Sequence, residues 1–114
     1  MNVRMTIAAG LVLVLASCTT ASVGPANPLK ARWVGKSAGE FFAAFGPPLS
    51  DVSSGRSTLY SWRGGFRKQK VCAVDLVVGS DYRIDSIKTT RDHPGKDPKG
   101  PTHCEEVLDA VAAN

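Results

Sequence analysis

VCAVDLVV, residues 71–78, is the stretch from which the rest of the fold is built. It is rich in β-branched residues, and strand side chains alternate between two faces, so Cys72, Val74, Leu76 and Val78 share one of them. That face is apolar throughout, which predicts a strand with one side against a core. Upstream, STLYSW (residues 57–62) places Tyr60 and Trp62 on one face of another strand, preceded by a Ser/Gly/Asp-containing loop. RGGFRKQK (63–70) reads as the connection between these two strands. Downstream, GSD (79–81) turns the chain into a third strand, YRIDSIKT (82–89).

Helical patterns flank the strands. In GKSAGEFFAAFGPP (35–48), Ser37 and Glu40 have the spacing of a capping box, and Ala38, Phe41, Phe42 and Phe45 fall on one helical face. Gly46 supplies a C-terminal cap, and Pro47 and Pro48 forbid continuation. Near the C-terminus, Thr102 and Glu105 repeat the capping-box spacing. Cys104, Val107, Leu108 and Val111 then recur at i, i+3, i+4 and i+7. The expected order is a short helix, a three-stranded antiparallel sheet, a long loop and a short C-terminal helix. Segregated helices and strands place the chain in the α+β class.

The N-terminal segment has a different logic. One basic residue, Arg4, precedes an apolar run that ends in LVLVLASC (11–18), the layout of a secretory signal peptide. The run is too short to span a bilayer, which takes about 20 apolar residues. Leu15, Ala16, Ser17 and Cys18 resemble the lipobox of bacterial lipoproteins. That resemblance implies removal of residues 1–17 and acylation of Cys18, giving a membrane partner through the lipid anchor. Each buried CH₂ contributes about 0.8 kcal/mol, and several acyl chains together anchor stably where one does not. Thr19 is not the Asp that commonly signals inner-membrane retention in such lipoproteins, so in a Gram-negative cell the expected location is the outer membrane, facing the periplasm. Residues 18–30, rich in Thr, Ala, Ser and Pro, are expected to form a lipidated flexible tether to a small domain over 31–114.

Cleavage before Cys18 leaves 97 of the 114 residues, a size at which a covalent staple matters. Exported proteins keep disulfides, and with Cys18 assigned to lipid, Cys72 and Cys104 remain as a pair. Both sit on apolar faces that a strand packed on a helix would bring together. Closing a loop of about 30 residues stabilises by roughly 3.5 kcal/mol in the chain-entropy account. Their separation lacks the paired spacing of zinc ligands.

Gly35, Ser37, Phe41, Phe45, Gly46, Pro47, Tyr60, Trp62, Leu76 and Ile84 together resemble the small lipoproteins of the SmpA/OmlA (BamE-like) family, over roughly residues 34–90. The shared pattern is a helix ending in FGxP, an aromatic strand and a hairpin. The resemblance implies a lipid anchor in the outer membrane and a role in membrane-protein assembly. The same two-helix, three-stranded unit occurs in β-lactamase-inhibitor-like proteins. Tyr82 stands where the hairpin turn of such proteins often carries Gly.

Lys and Arg number 14 against 10 Asp and Glu, and loss of Arg4 with the signal peptide leaves 13 against 10. Arg63, Arg67, Lys68 and Lys70 crowd one hairpin connection beside Phe66 and Trp62, an arrangement suited to an anionic surface or partner. The alternative is a solvated loop that keeps strand edges from aggregating. Export excludes nucleic acid as a partner. His93 and His103 lie in RDHPGKDPKGPTHC (91–104) without a surrounding nucleophile or metal motif, and Asp92, Asp97, Glu105 and Glu106 read as solvated or helix-terminal. Asp75 and Asp85 fall on neighbouring strands, but a chain this small leaves little room for an acid/base cleft. No catalytic, metal or cofactor residues are expected. The sequence therefore reads as a non-catalytic envelope interaction protein with an envelope protein partner, or alternatively as an inhibitor-like module acting on a periplasmic or incoming hydrolase.

Overall fold

The computed structural model describes residues 27–111, so the expected signal peptide, Cys18 and the expected tether up to residue 26 lie outside the described residues. The chain is α+β. Helices α1 (Pro28–Trp33) and α2 (Ala38–Phe45) lead into strands β1 (Ser50–Ser54), β2 (Ser57–Arg67), β3 (Lys70–Val78) and β4 (Ile84–Arg91), and α3 (His103–Val107) follows. The strands form an antiparallel meander in the order β1-β2-β3-β4.

The structure departs from three expectations. The sheet has four strands rather than three, because the expected loop before STLYSW contains β1, whose residues Ser50 to Ser54 pair with Ser61 to Ser57. Residues 28–30, expected within a flexible tether over 18–30, belong to helix α1 instead: Asn27 Oδ1 accepts from the N–H groups of Leu29 and Lys30, and Pro28 fits the first helical turn, where its missing N–H costs nothing. Leu29 and Trp33, at i and i+4, are both buried, which gives so short a helix its reason to form. Finally, RGGFRKQK is mostly strand. β2 continues to Arg67, which pairs with Lys70, so Lys68 and Gln69 alone make the turn.

The face predicted from residues 71–78 is the core face. Cys72, Val74, Leu76 and Val78 are buried. Across the sheet they continue as the rows Tyr60–Leu76–Ile87 and Thr58–Val78–Ile84, with Trp62 opposite Val74. Phe41 of α2 is fully buried over them, with edge-on ring contacts to Trp33 (5.2 Å), Phe45 (4.9 Å) and Trp62 (5.6 Å). Burying such a side chain stabilises by about 1.5–3 kcal/mol, and edge-to-face pairs add to that. The caps are as read, with one difference. Thr102 and Glu105 make both bonds of a capping box, whereas Ser37 accepts from the Glu40 N–H and only that half of its box is formed. Gly46 N–H donates to the Phe42 carbonyl at 2.8 Å and closes α2.

Cys72 and Cys104 form a disulfide, joining β3 to α3 across 32 positions of sequence. Both cysteines are wholly buried. The C-terminal segment is also tied to α1. The buried Trp33 indole N–H donates to the Leu108 carbonyl at 2.7 Å, and Arg32 forms an ion pair with Asp109 at 3.2 Å. Among the described residues no helix packs on the opposite sheet face, which carries the mixed rows Ser61–Asp75–Lys88 and Arg63–Ala73–Arg91. Among the described residues no helix is long and apolar enough to cross a membrane.

Candidate functional site

The basic residues of the β2–β3 hairpin do not form one patch. Arg63 belongs to the open sheet face opposite Ala73, and its guanidinium lies 5.9 Å from the centre of the exposed Phe66 ring. Arg67 and Lys68 are exposed at the tip, where Lys68 takes up the left-handed conformation (φ 54°) that the two-residue turn requires. Lys70 is occupied: its ammonium donates to the Pro94 carbonyl at 2.7 Å and lies 3.4 Å from that of Gly95. It straps the hairpin to the segment ahead of α3. The four cations thus separate into a face residue, two tip residues and a strut.

Between the tip and α3 lies a cleft. Two adjoining hollows of about 330 and 340 Å³ share Arg67, Lys96, His103 and Glu106. One extends toward Lys68 and Lys70, the other toward Phe66, Val107 and Val111. Its shape depends on the glycine pair of β2. Gly65 has φ +65°, and a Cβ there would stand 2.5 Å from a Val107 methyl; a Cβ on Gly64 would stand 2.6 Å from the Trp62 ring. A side chain at either position would push the hairpin off the helix or the core. The strand register shifts between Gly64 and Arg67, which re-aims the tip residues at the cleft.

The floor is fastened by hydrogen bonds. His103 Nε2 lies 2.7 Å from the Gly65 carbonyl; since a carbonyl only accepts, Nε2 carries the proton and donates. Glu106 Oε2 accepts from the Lys96 N–H at 3.1 Å. Asp92 Oδ1 accepts from the N–H groups of His93 and Cys104, holding the segment onto the start of α3. Lys96, His103, Glu106, Val107 and Val111 complete the site. As a site they are invisible to sequence reasoning, because they reach the hairpin only through the disulfide and the loop between β4 and α3.

The other candidates are dispersed. Asp75 lies opposite Lys88 and accepts from the Ser61 hydroxyl at 3.1 Å, while Asp85 sits at a register shift at the start of β4. The His93 and His103 rings are 6.3 Å apart, with His93 Nε2 buried and unpartnered among the described residues. Among the described residues no group of three or more His, Cys, Asp or Glu is placed to hold a metal ion. Cys18 lies outside the described residues.

Comparison of the chain with protein-family models, with curated proteins and with solved structures finds no match.

Proposed function

We propose that this chain is a lipid-anchored, non-catalytic interaction protein of the bacterial cell envelope, held at the periplasmic side of the outer membrane and supporting its assembly or integrity. The observation that carries the reading is the pairing of Cys72 with Cys104 in the core, which leaves Cys18 as the odd thiol, directly after an apolar run and in a lipobox-like context. A buried disulfide suits an oxidising compartment, and the odd cysteine then has a use. The resemblance to SmpA/OmlA lipoproteins supports the same assignment.

The anchor bears on the hairpin. Eight residues lie between Cys18 and the folded boundary at Asn27, nine residue steps with a reach of about 30 Å when extended at roughly 3.3–3.6 Å per residue. The domain would thus work close to the bilayer, where each basic residue adds about 1 kcal/mol of attraction to an anionic surface. Arg63, Arg67 and Lys68 are exposed and unpaired among the described residues, which suits them to that contact; Lys70 serves mainly to hold the hairpin.

Acyl labelling tests the anchor. The wild-type chain should incorporate labelled fatty acid and Cys18→Ser should not, accumulating as unprocessed precursor; equal labelling of both would end the assignment. Crosslinking in intact envelopes tests the role. Recovery of membrane-assembly components supports it, whereas a stoichiometric soluble hydrolase would move the protein to the inhibitor-like class.

A further inference from the structure

The cleft between the hairpin tip and α3 has three kinds of wall at once. Arg67, Lys68, Lys70 and Lys96 bring positive charge against the single carboxylate of Glu106. Phe66 (71% exposed) and Val111 (52% exposed), with Val107, offer an apolar side. Among the described residues Glu106 keeps one acceptor oxygen to spare, since Oε2 alone is bonded, to Lys96 N–H. A solvated loop has no need to juxtapose these, and a flat anionic surface has no way to fill the hollow. Its volume suits one or two side chains.

We infer that the cleft binds the C-terminal residue of a polypeptide, an inference resting on the reading of this hairpin as a binding surface. Such a residue presents three groups in fixed relation. Its α-carboxylate meets the guanidinium fork of Arg67 and the charges of Lys68 and Lys96, the pairing in which Arg excels. Its apolar side chain lies against Phe66, Val107 and Val111. Its peptide N–H donates to the free oxygen of Glu106. A phosphate dianion fits worse, because Glu106 opposes a second negative charge and the apolar wall is left bare. The glycine pair, the His103 bond and the disulfide hold the walls before any ligand arrives, which limits the ordering cost of binding.

The test is an NMR titration of the full mature chain with N-acetyl-Ala-Phe as the free acid and as its C-terminal amide. Saturating shifts at Gly65, Lys96, Glu106 and Val107 are expected with the acid, and about tenfold weaker binding with the amide, the loss of one charge-assisted contact. Arg67→Gln and Val111→Asp, both at exposed positions, should each weaken the acid while leaving the rest of the spectrum unchanged. Equal binding of acid and amide overturns the inference, as does inorganic phosphate binding as tightly as the acid. Binding to phosphatidylglycerol vesicles without any response to the peptide overturns the cleft proposal and leaves the membrane-surface reading standing; response to neither removes both.

Discussion

At one end of β3 the turn over residues 79–83 is bound into the start of α2, while at the other Lys68 and Gln69 turn in solvent. The first end is fastened by backbone. Ala38 N–H donates to the Tyr82 carbonyl at 2.9 Å, Gly35 N–H to Ile84 and Ile84 N–H to Lys36, both at 2.8 Å. Arg83 adds a side-chain bond to the Gly35 carbonyl at 2.9 Å. Tyr82, at φ 65°, accepts a left-handed conformation there although it is not Gly, held by the bonds on either side. The second end is fastened by side chains: the Cys72–Cys104 bridge, the Lys70 strut and the His103–Gly65 bond. Both turns are polar in sequence. One spends its polar groups on the fold, and the other leaves Arg67 and Lys68 exposed with a cleft beside them.

This contrast predicts that the hairpin end depends most on its covalent tie. Replacing Cys72 and Cys104 with Ala together should lower stability by about 3.5 kcal/mol, as expected for opening a loop of this length. Urea unfolding of the oxidised wild type beside the double variant measures it. Hydrogen exchange should show the loss of protection concentrated in α3 and the Gly64–Arg67 part of β2, with the α2 end retaining its order of protection. Uniform loss would mean the two ends are one cooperative unit.

Next in size is the capping bond of the backbone-fastened end. Ser37→Ala removes the acceptor for the Glu40 N–H, 3.1 Å away, and should cost about 1 kcal/mol. Thermal or urea unfolding reads it directly. A cost near zero would show that the Ser37–Arg83 bridge and the Ala38–Tyr82 bond hold the helix start without help from the cap.

The hairpin charges come third. Arg63, Arg67 and Lys68 changed together to Gln should shift stability by less than about 0.5 kcal/mol, because exposed charges away from the core carry little of the fold. Binding to anionic vesicles or to the captured partner should fall, and the remainder should be less sensitive to salt, whose screening length is about 10 Å at 0.1 M. Lys70 is left in place because its removal would strand the strap to Pro94. Unchanged binding would return the three residues to solvated edge protection.

What the sequence made legible follows from where its signals are local. β3, β4, α2 and α3 each carry an apolar period or a cap within a few residues, and the disulfide follows from two such faces meeting. β1 does not: SDVSS has one apolar residue and is exposed along its length, so its pairing is dictated by the turn and by β2 rather than by alternation. α1 offered Asn27 followed by Pro28, an N-terminal cap signal, inside a segment whose composition reads as linker. In the hairpin the charges were plain to read, yet which of them is a strut depends on the Pro94 carbonyl, 24 positions away in sequence. The cleft is a tertiary product altogether. His103 is the first residue of α3, and only its bond to Gly65 makes it part of a wall.

The smallest expected effect is a pH handle on the backbone-fastened end. Tyr60 lies in the core-face row with Leu76, 5.1 Å from Phe42 by ring centres. Burial pushes its phenol above the usual value of 10.0, and the charges of Tyr82 and Asp51 push it the same way. The unfolded chain therefore gives up this proton first as pH rises. The contribution of Tyr60 to stability is complete below about pH 10 and is lost as pH climbs through the raised folded value. Between pH 8 and 11, wild type should lose melting temperature slightly faster than Tyr60→Phe, which keeps the ring packing and has no proton to lose. Ultraviolet titration of the phenolate should place its midpoint above that of the unfolded chain. Parallel melting curves for the two proteins, or a phenolate midpoint at the unfolded value, would show that the ring edge is fully solvated and that the α2 end is looser than its hydrogen bonds imply.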